Sequence, residues 1–158
     1  GFRDFVIQNG VGRPLVTAHS VWFLYDTEKH VPLRVSQADQ EPYGAPKPPL
    51  EMGEEPGKIR LPGEMTAGEP VEILRYHLDT NRHVNNAWYV EMARDALPAP
   101  IRIREIRADY KKAALLGDVV TPRIGRGPAG EWIVALDGGE KGIYAAVCLN
   151  EREIKGRL

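Results

Sequence analysis

The chain has 158 residues, of which 42% are hydrophobic and 27% are charged, a composition typical of a soluble globular protein. Its formal net charge of −1 argues against a nucleic-acid binder, which normally carries a basic face. One cysteine, Cys148, excludes an internal disulfide and multi-cysteine metal centres, and no run reaches the roughly 18 apolar residues of a membrane helix. Since no signal peptide is visible, we expect a cytoplasmic protein, and Cys148, within an apolar run, is expected to be buried.

Residues 1–40 are predicted to form strands. β-rich runs occupy 5–7, 15–25 and 31–35, and a polar hairpin turn is predicted at 26–30. No helical periodicity is present to cover this sheet, and two or three bare strands do not make a stable domain. We therefore expect these strands to pack beside the rest of the chain.

Residues 41–67 are predicted to form a linker. This segment contains six prolines and four glycines. Proline fixes one backbone dihedral angle and lacks an N–H donor, so regular structure is not expected here. The segment is predicted to be extended in places, like polyproline.

Residues 68–158 follow the order strand, helix, four strands. A strand is predicted at 70–78, a polar elbow at 79–83 and an amphipathic helix at 84–96, which the prolines after residue 97 end. The later strands are predicted at 101–113, 119–124, 132–136 and 142–149, with a hairpin at 137–139. A parity switch of the apolar positions in the first of them predicts a bulge near Arg104 or Glu105. One long helix between the first and second strands of an antiparallel sheet predicts an α+β hotdog fold, in which the sheet wraps round the helix.

The elbow carries the side chains best suited to chemistry. Thioester hydrolysis needs a base for water and positive dipoles where the carbonyl oxygen becomes negative. Asp79 can act as a carboxylate base or nucleophile, Asn81 can donate to the carbonyl or hold water, and His83 can orient a partner or share proton transfer. The free N–H groups of the helix N-terminus begin at 84–87.

Two other interpretations of the elbow stay open. It could be a plain helix start, with Asn81, Asn85 or Asn86 as the N-cap. His77, Asp79 and His83 could instead bind zinc or iron, although their spacing is irregular and the sequence shows no further ligand. No metal or cofactor is therefore predicted.

A cluster of basic residues lies on the strand after the helix. It comprises Arg102, Arg104, Arg107, Lys111 and Lys112. Such a cluster is either a solvated strand face or a docking patch for an acidic partner.

The segment 79–86, together with Tyr89 and the later run 96–98, resembles the acyl–acyl carrier protein thioesterases of plants and bacteria. This resemblance implies a double hotdog. Residues 1–40 would be the last strands of its N-terminal hotdog, whose front is absent from this sequence; 41–67 would be the linker and 68–158 the C-terminal hotdog. Three departures stand out: Ala113 occupies the position of a second family carboxylate, Ala114 occupies that of a family cysteine, and Arg82 stands where glycine is usual.

The resemblance implies hydrolysis of fatty acyl–acyl carrier protein to free fatty acid and holo-carrier. The catalytic residues would be Asp79, Asn81 and His83, and the substrate-binding residues would be Asn85, Asn86 and Tyr89. No cofactor is implied, nor is a nucleic-acid or membrane partner, and a homodimer through the hotdog sheets is left open. The alternatives are a hotdog module that binds acyl groups without hydrolysis and an acyl-thioester dehydratase or hydratase.

Overall fold

The computed structural model describes residues 1–26, 29, 31–52 and 57–151. The chain divides into two compact units, Gly1–Pro56 and Gly57–Leu158. The boundary between the units falls within the segment predicted as a linker. No helix among the described residues is long and apolar enough to cross a membrane.

The first unit contains two small antiparallel sheets. One pairs β1 (Phe2–Gln8) with β2 (Pro14–Val21), and the other pairs β3 (Leu24–Asp26) with β4 (Val31–Leu33). The run predicted as one strand over 15–25 is therefore two strands in different sheets. β2 ends at Val21, and the next residue, Trp22, exchanges both backbone hydrogen bonds with Gly1 at the open end of the hairpin. The predicted turn at 26–30 lies partly outside the described residues.

The first unit also contains short helical turns that we did not predict. α1 (Gln37–Gln40) begins at Ser36, whose side chain and that of Asp39 form a capping box. A 3₁₀ turn, Glu41–Tyr43, follows within the proline-rich segment, with proline in its first turn, where the missing N–H is tolerated.

The second unit is an antiparallel sheet with one long helix. Its strands are β5 (Thr66–Ala67), β6 (Val71–Glu72), β7 (Ile103–Tyr110), β8 (Val119–Arg126), β9 (Trp132–Asp137) and β10 (Ile143–Glu151). The sheet order is β5-β8-β9-β10-β7, and β6 also pairs with β8. Helix α2 (Asn86–Asp95) packs on β9 and β10. This is the hotdog arrangement, and that prediction is confirmed.

The helix and the inner face of the sheet share one apolar core. Tyr89, Met92 and Ala93 of α2 pack into a cluster with Leu136 and Val147 of the central strands. Cys148 points to the opposite face of the sheet and is 4% exposed, as expected for a small buried hydrophobe. Burial raises the pKa of its thiol, so the thiolate is disfavoured.

Two local predictions have opposite outcomes. The bulge is confirmed, since Glu105 pairs with Asn150 and Ile103 with Glu151, which leaves Arg104 as the extra residue. The strand predicted at 70–78 is wrong beyond β6, because a 3₁₀ turn, Arg75–His77, replaces its second half.

The segment 57–65 covers the outer face of the sheet. Ile59 and Met65 pack against Ile133 and Cys148 there, while Ile59 N–H donates to Asp109 at 2.8 Å. Gly125 of β8 lets this segment approach, because a Cβ at that position would lie 2.9 Å from the Glu64 carbonyl oxygen. The sheet is therefore covered on both faces.

Candidate active site

The elbow between the 3₁₀ turn and α2 is a tight loop closed by backbone hydrogen bonds. Leu78 and Val84 form an isolated antiparallel bridge. Inside it, Asp79 N–H donates to the His83 carbonyl at 2.8 Å, and Arg82 N–H donates to the Asp79 carbonyl at 3.0 Å. Arg82 takes the left-handed conformation, with φ of 62°. That conformation favours glycine.

The two carboxylate oxygens of Asp79 have different surroundings. Oδ1 accepts hydrogen bonds from the N–H groups of Asn81 at 2.8 Å and His83 at 3.2 Å. Oδ2 makes no hydrogen bond to the residues that the structure describes. The side chain is half-buried. The loop therefore holds the carboxylate through one oxygen and leaves the other available.

Asn81 and His83 flank this carboxylate and are both exposed. Neither side chain makes a hydrogen bond or ion pair within the described part of the chain. His83 is therefore not a core histidine. Both side chains are available to a water molecule or a substrate.

The interpretation of this region as a plain helix start accounts for only one of the three asparagines that were candidates for the N-cap. Asn85 is the N-cap, and its Oδ1 accepts from Ala87 N–H at 3.0 Å. The plain helix start thus explains Asn85, while Asn81 and Asn86 are not caps. Capping also occupies the Asn85 side-chain oxygen, which leaves only its amide NH₂ group for a substrate.

Among the described residues, one N–H group at the start of α2 makes no hydrogen bond. Val84 N–H donates to the Ala114 carbonyl, Asn85 N–H to the His77 carbonyl and Trp88 N–H to the Asn85 carbonyl. Ala87 N–H is taken by the cap. Asn86 N–H makes no hydrogen bond to any described residue, so it is the free donor at the positive end of the helix dipole.

Tyr89 lies beneath the elbow rather than on its surface. It is 2% exposed, and its hydroxyl oxygen accepts from Ala114 N–H at 2.8 Å. Burial raises the pKa of Tyr89, and the nearby charges of Asp118 and Asp79 raise it further. Ala114 therefore joins Val84 at the elbow to Tyr89 in the helix, while the adjacent Ala113 is exposed.

His77 is buried among protein groups and is not arranged as a metal ligand. It is 3% exposed, and its Nδ1 accepts from Leu74 N–H at 2.9 Å. Burial lowers the pKa of His77. Trp88 packs edge-on against the His77 ring, with the two ring centroids 4.9 Å apart. Across the described residues, no three His, Cys, Asp or Glu side chains form a group that could hold a metal ion.

A second buried carboxylate, Asp118, supports the neighbouring loop. It is 7% exposed and accepts hydrogen bonds from the Lys141 ammonium, the Tyr144 hydroxyl at 2.7 Å and Leu115 N–H at 2.9 Å. Burial alone would raise the pKa of Asp118, but these bonds outweigh it and hold the pKa below its usual range. A carboxylate with three donors is a structural anchor, and sequence reasoning did not single it out.

Comparison with known proteins identifies the segment that holds the elbow. Residues 64–128 match the family described as the acyl-ACP thioesterase C-terminal domain. The match covers less than half of the chain and makes this segment similar to that family. It includes the whole elbow, α2 and β7, so the resemblance inferred from the elbow motif is confirmed there.

Solved acyl-ACP thioesterases share the fold. The enzyme from Bacteroides thetaiotaomicron superposes with a TM-score of 0.77 at 20% identity, covering 96% of this chain and 62% of its own. The 12:0-ACP thioesterase from Umbellularia californica gives a TM-score of 0.76 at 19% identity, covering 96% and 62%. The chain thus spans less than two thirds of the length of these thioesterases. No curated protein sequence matches the chain.

Proposed function

We propose that the chain hydrolyses the thioester of a fatty acyl group on acyl carrier protein, giving a free fatty acid and the holo-carrier. The observation that carries this proposal is the Asp79 carboxylate, held through Oδ1 by the backbone N–H groups of Asn81 and His83, while Oδ2 makes no hydrogen bond to a described residue. Attack by water on a thioester requires a base that takes a proton from the water, and the loop fixes the position of this carboxylate.

In the proposed reaction, Asp79 Oδ2 takes a proton as water attacks the carbonyl carbon. The carbonyl oxygen becomes negative, and Asn86 N–H, at the helix N-terminus, stabilises it together with the Asn81 amide. Collapse of this intermediate breaks the carbon–sulfur bond, and the departing thiolate takes up the proton. His83 orients the water or shares that proton transfer.

The proposed substrate contacts follow from the positions of the predicted residues. Asn86 contributes its backbone N–H, and Asn85 contributes through its cap, which orders the helix start. Tyr89 is buried and contributes by supporting the loop under the elbow. The resemblance implies that Ala113 takes the position of a second family carboxylate, so Asp79 is proposed as the sole base.

The carrier protein is proposed to dock on the basic residues after the helix. Arg107 is already bonded to the Gly57 carbonyl at 2.6 Å, and Lys112 to the Lys141 carbonyl at 3.4 Å. The side chains of Arg102, Arg104 and Lys111 make no hydrogen bond or ion pair with described residues, so these three side chains are available to an acidic partner. Such contacts would raise the association rate and lose effect at high salt.

The domain organisation belongs to the same proposal. Residues 1–40 would be the last strands of an N-terminal hotdog, 41–67 the joining segment and 68–158 the C-terminal hotdog. Many apolar side chains of β1 to β4 are exposed, among them Phe2, Ile7, Leu15, Val21 and Leu24. Exposed apolar surface of this kind supports the packing of these strands against further structure.

One experiment separates this function from its two alternatives. The protein is incubated with acyl–carrier protein and, separately, with acyl-CoA, while free thiol and any 3-hydroxyacyl or enoyl product are followed. Thiol release supports hydrolysis. Retention of intact thioester on the protein would indicate an acyl-binding module, and interconversion of 3-hydroxyacyl and enoyl groups would indicate a dehydratase or hydratase.

A further inference from the structure

Tyr110, the last residue of β7, contacts the first turn of α2. Its hydroxyl donates to the Asn86 carbonyl oxygen at 3.2 Å, and its ring centroid lies 5.8 Å from that of Tyr89. Tyr110 thus connects the edge strand to the residue that bears the free N–H group.

The peptide group between Asn86 and Ala87 is held at both of its polar atoms. Tyr110 donates to its oxygen, and the Asn85 side chain accepts from its N–H. On the other side, the peptide group between Val84 and Asn85 is fixed by the bond from Asn85 N–H to the His77 carbonyl. The intervening peptide group carries the free Asn86 N–H. Its own carbonyl oxygen accepts from Trp88 N–H at 2.9 Å, and the fixed peptide groups on either side restrict its direction further.

We propose that Tyr110 is a positioning residue of the thioesterase site, whose hydroxyl fixes the first turn of α2 so that Asn86 N–H meets the developing oxyanion. This inference rests on the proposed hydrolysis. A donor stabilises a transition state best when it is already oriented, since no free energy is then spent on reorganisation during the reaction. Tyr110 acts through Asn86 and does not itself contact the reacting atoms.

The first test is Tyr110→Phe, which removes the hydroxyl and keeps the ring. Loss of one oriented donor lowers turnover by about 100- to 1000-fold, so loosening that donor is expected to lower kcat by about tenfold. KM is expected to stay within about twofold, because binding of the acyl chain does not use this bond. Tyr76→Phe is the matched control, since Tyr76 is 63% exposed and its hydroxyl has no hydrogen bond in the described part of the chain.

Hydroxylamine separates carbonyl polarisation from water activation. It attacks thioesters without needing a general base, so it should restore much of the activity that Asp79→Asn loses. Tyr110→Phe should lose the same factor with hydroxylamine as with water, because either nucleophile needs the carbonyl polarised. Recovery of the Tyr110→Phe rate by hydroxylamine, or an unchanged kcat with water, would overturn the proposal.

A measurement that does not depend on turnover completes the test. In ¹⁵N-labelled protein, the Asn86 amide resonance should shift in Tyr110→Phe and should not change in Tyr76→Phe. An Asn86 amide that is the same in Tyr110→Phe and wild type overturns the positioning role. If wild-type protein released no thiol, the proposed function would fail, and this amide comparison would still decide what Tyr110 does.

Discussion

Asp79 uses its two oxygens for different purposes. Oδ1 closes the elbow by accepting two backbone N–H groups, and Oδ2 is left for chemistry. An asparagine can keep the first function through its carbonyl oxygen, whereas an alanine cannot. Asp79→Asn is therefore the substitution that separates the proposed base from the turn that holds it.

The neighbouring side chains are expected to affect turnover more than stability. Asn81→Ala and His83→Ala should each lower kcat by about 10- to 1000-fold, the range for losing a donor or a proton-transfer group. Both residues are exposed, so the melting temperature should change little. Steady-state kinetics and thermal denaturation measure the two effects, with Thr80→Ala, exposed in the same elbow, as the control. Loss of folding in His83→Ala would contradict the assigned role.

For individual residues, the sequence predicts which polar side chains lie together in the elbow, but it does not predict the backbone hydrogen bonds that hold them there. The polar run 79–83 before an amphipathic helix was enough to indicate the elbow. The contacts of Ala114 with Val84 and Tyr89 were not predictable, because backbone N–H and carbonyl groups have no residue signature. Tyr89 was expected at the substrate, and its burial became evident only once β7 and the following loop were placed.

The elements around the elbow follow from hydrogen bonds as well as periodicity. Apolar spacing predicted α2 to within about two residues at its start, and the parity switch located the bulge at Arg104. The apolar residues Leu74, Tyr76 and Leu78 occupy every second position, a spacing typical of a strand. A 3₁₀ turn forms there instead, because the His77 side chain accepts from Leu74 N–H while the backbones of the two residues also bond.

This 3₁₀ turn predicts a pH dependence of stability. The folded state lowers the pKa of His77 through burial, and protonation would also break its bond from Leu74 N–H. The unfolded chain therefore binds more protons, so the free energy of unfolding should be constant above the ordinary pKa of about 6.5 and fall as the pH drops below it. Urea denaturation from pH 5 to 8 measures the slope. His77→Asn keeps an acceptor near the Nδ1 position and should show a smaller slope; an equal slope would contradict the assignment.

The close packing of the segment 57–65 against β8 leads to a second prediction about the free energy of unfolding. Gly125→Ala would place a Cβ 2.9 Å from the Glu64 carbonyl oxygen and 3.0 Å from Pro62 Cγ, so this segment must shift. Overpacking of this kind costs about 1–3 kcal/mol of unfolding free energy. Gly63→Ala is the control, since its Cβ would meet nothing within 4 Å. Equal unfolding free energies of the two variants would show that the segment does not bear on β8.

For the whole molecule, the hotdog fold was predictable because element order and a single central helix restrict the topology. The short turns of the first unit were not, although Ser36 and Asp39 carry a capping signal in the sequence. The packing of residues 1–40 beside the second unit stays a prediction. The chain covers 62% of the thioesterases that it resembles, so its activity must be measured on this chain itself.

The most direct measurement compares thiol release from acyl–acyl carrier protein by the wild type and Asp79→Asn. We predict that wild-type protein releases thiol in proportion to enzyme concentration, and that Asp79→Asn is slower by about 100-fold or more, the scale for losing a general base. The variant should still bind the acylated carrier and keep the wild-type melting temperature. A variant that retains more than about a third of the wild-type rate would contradict Asp79 as the base, and thus the account of this site.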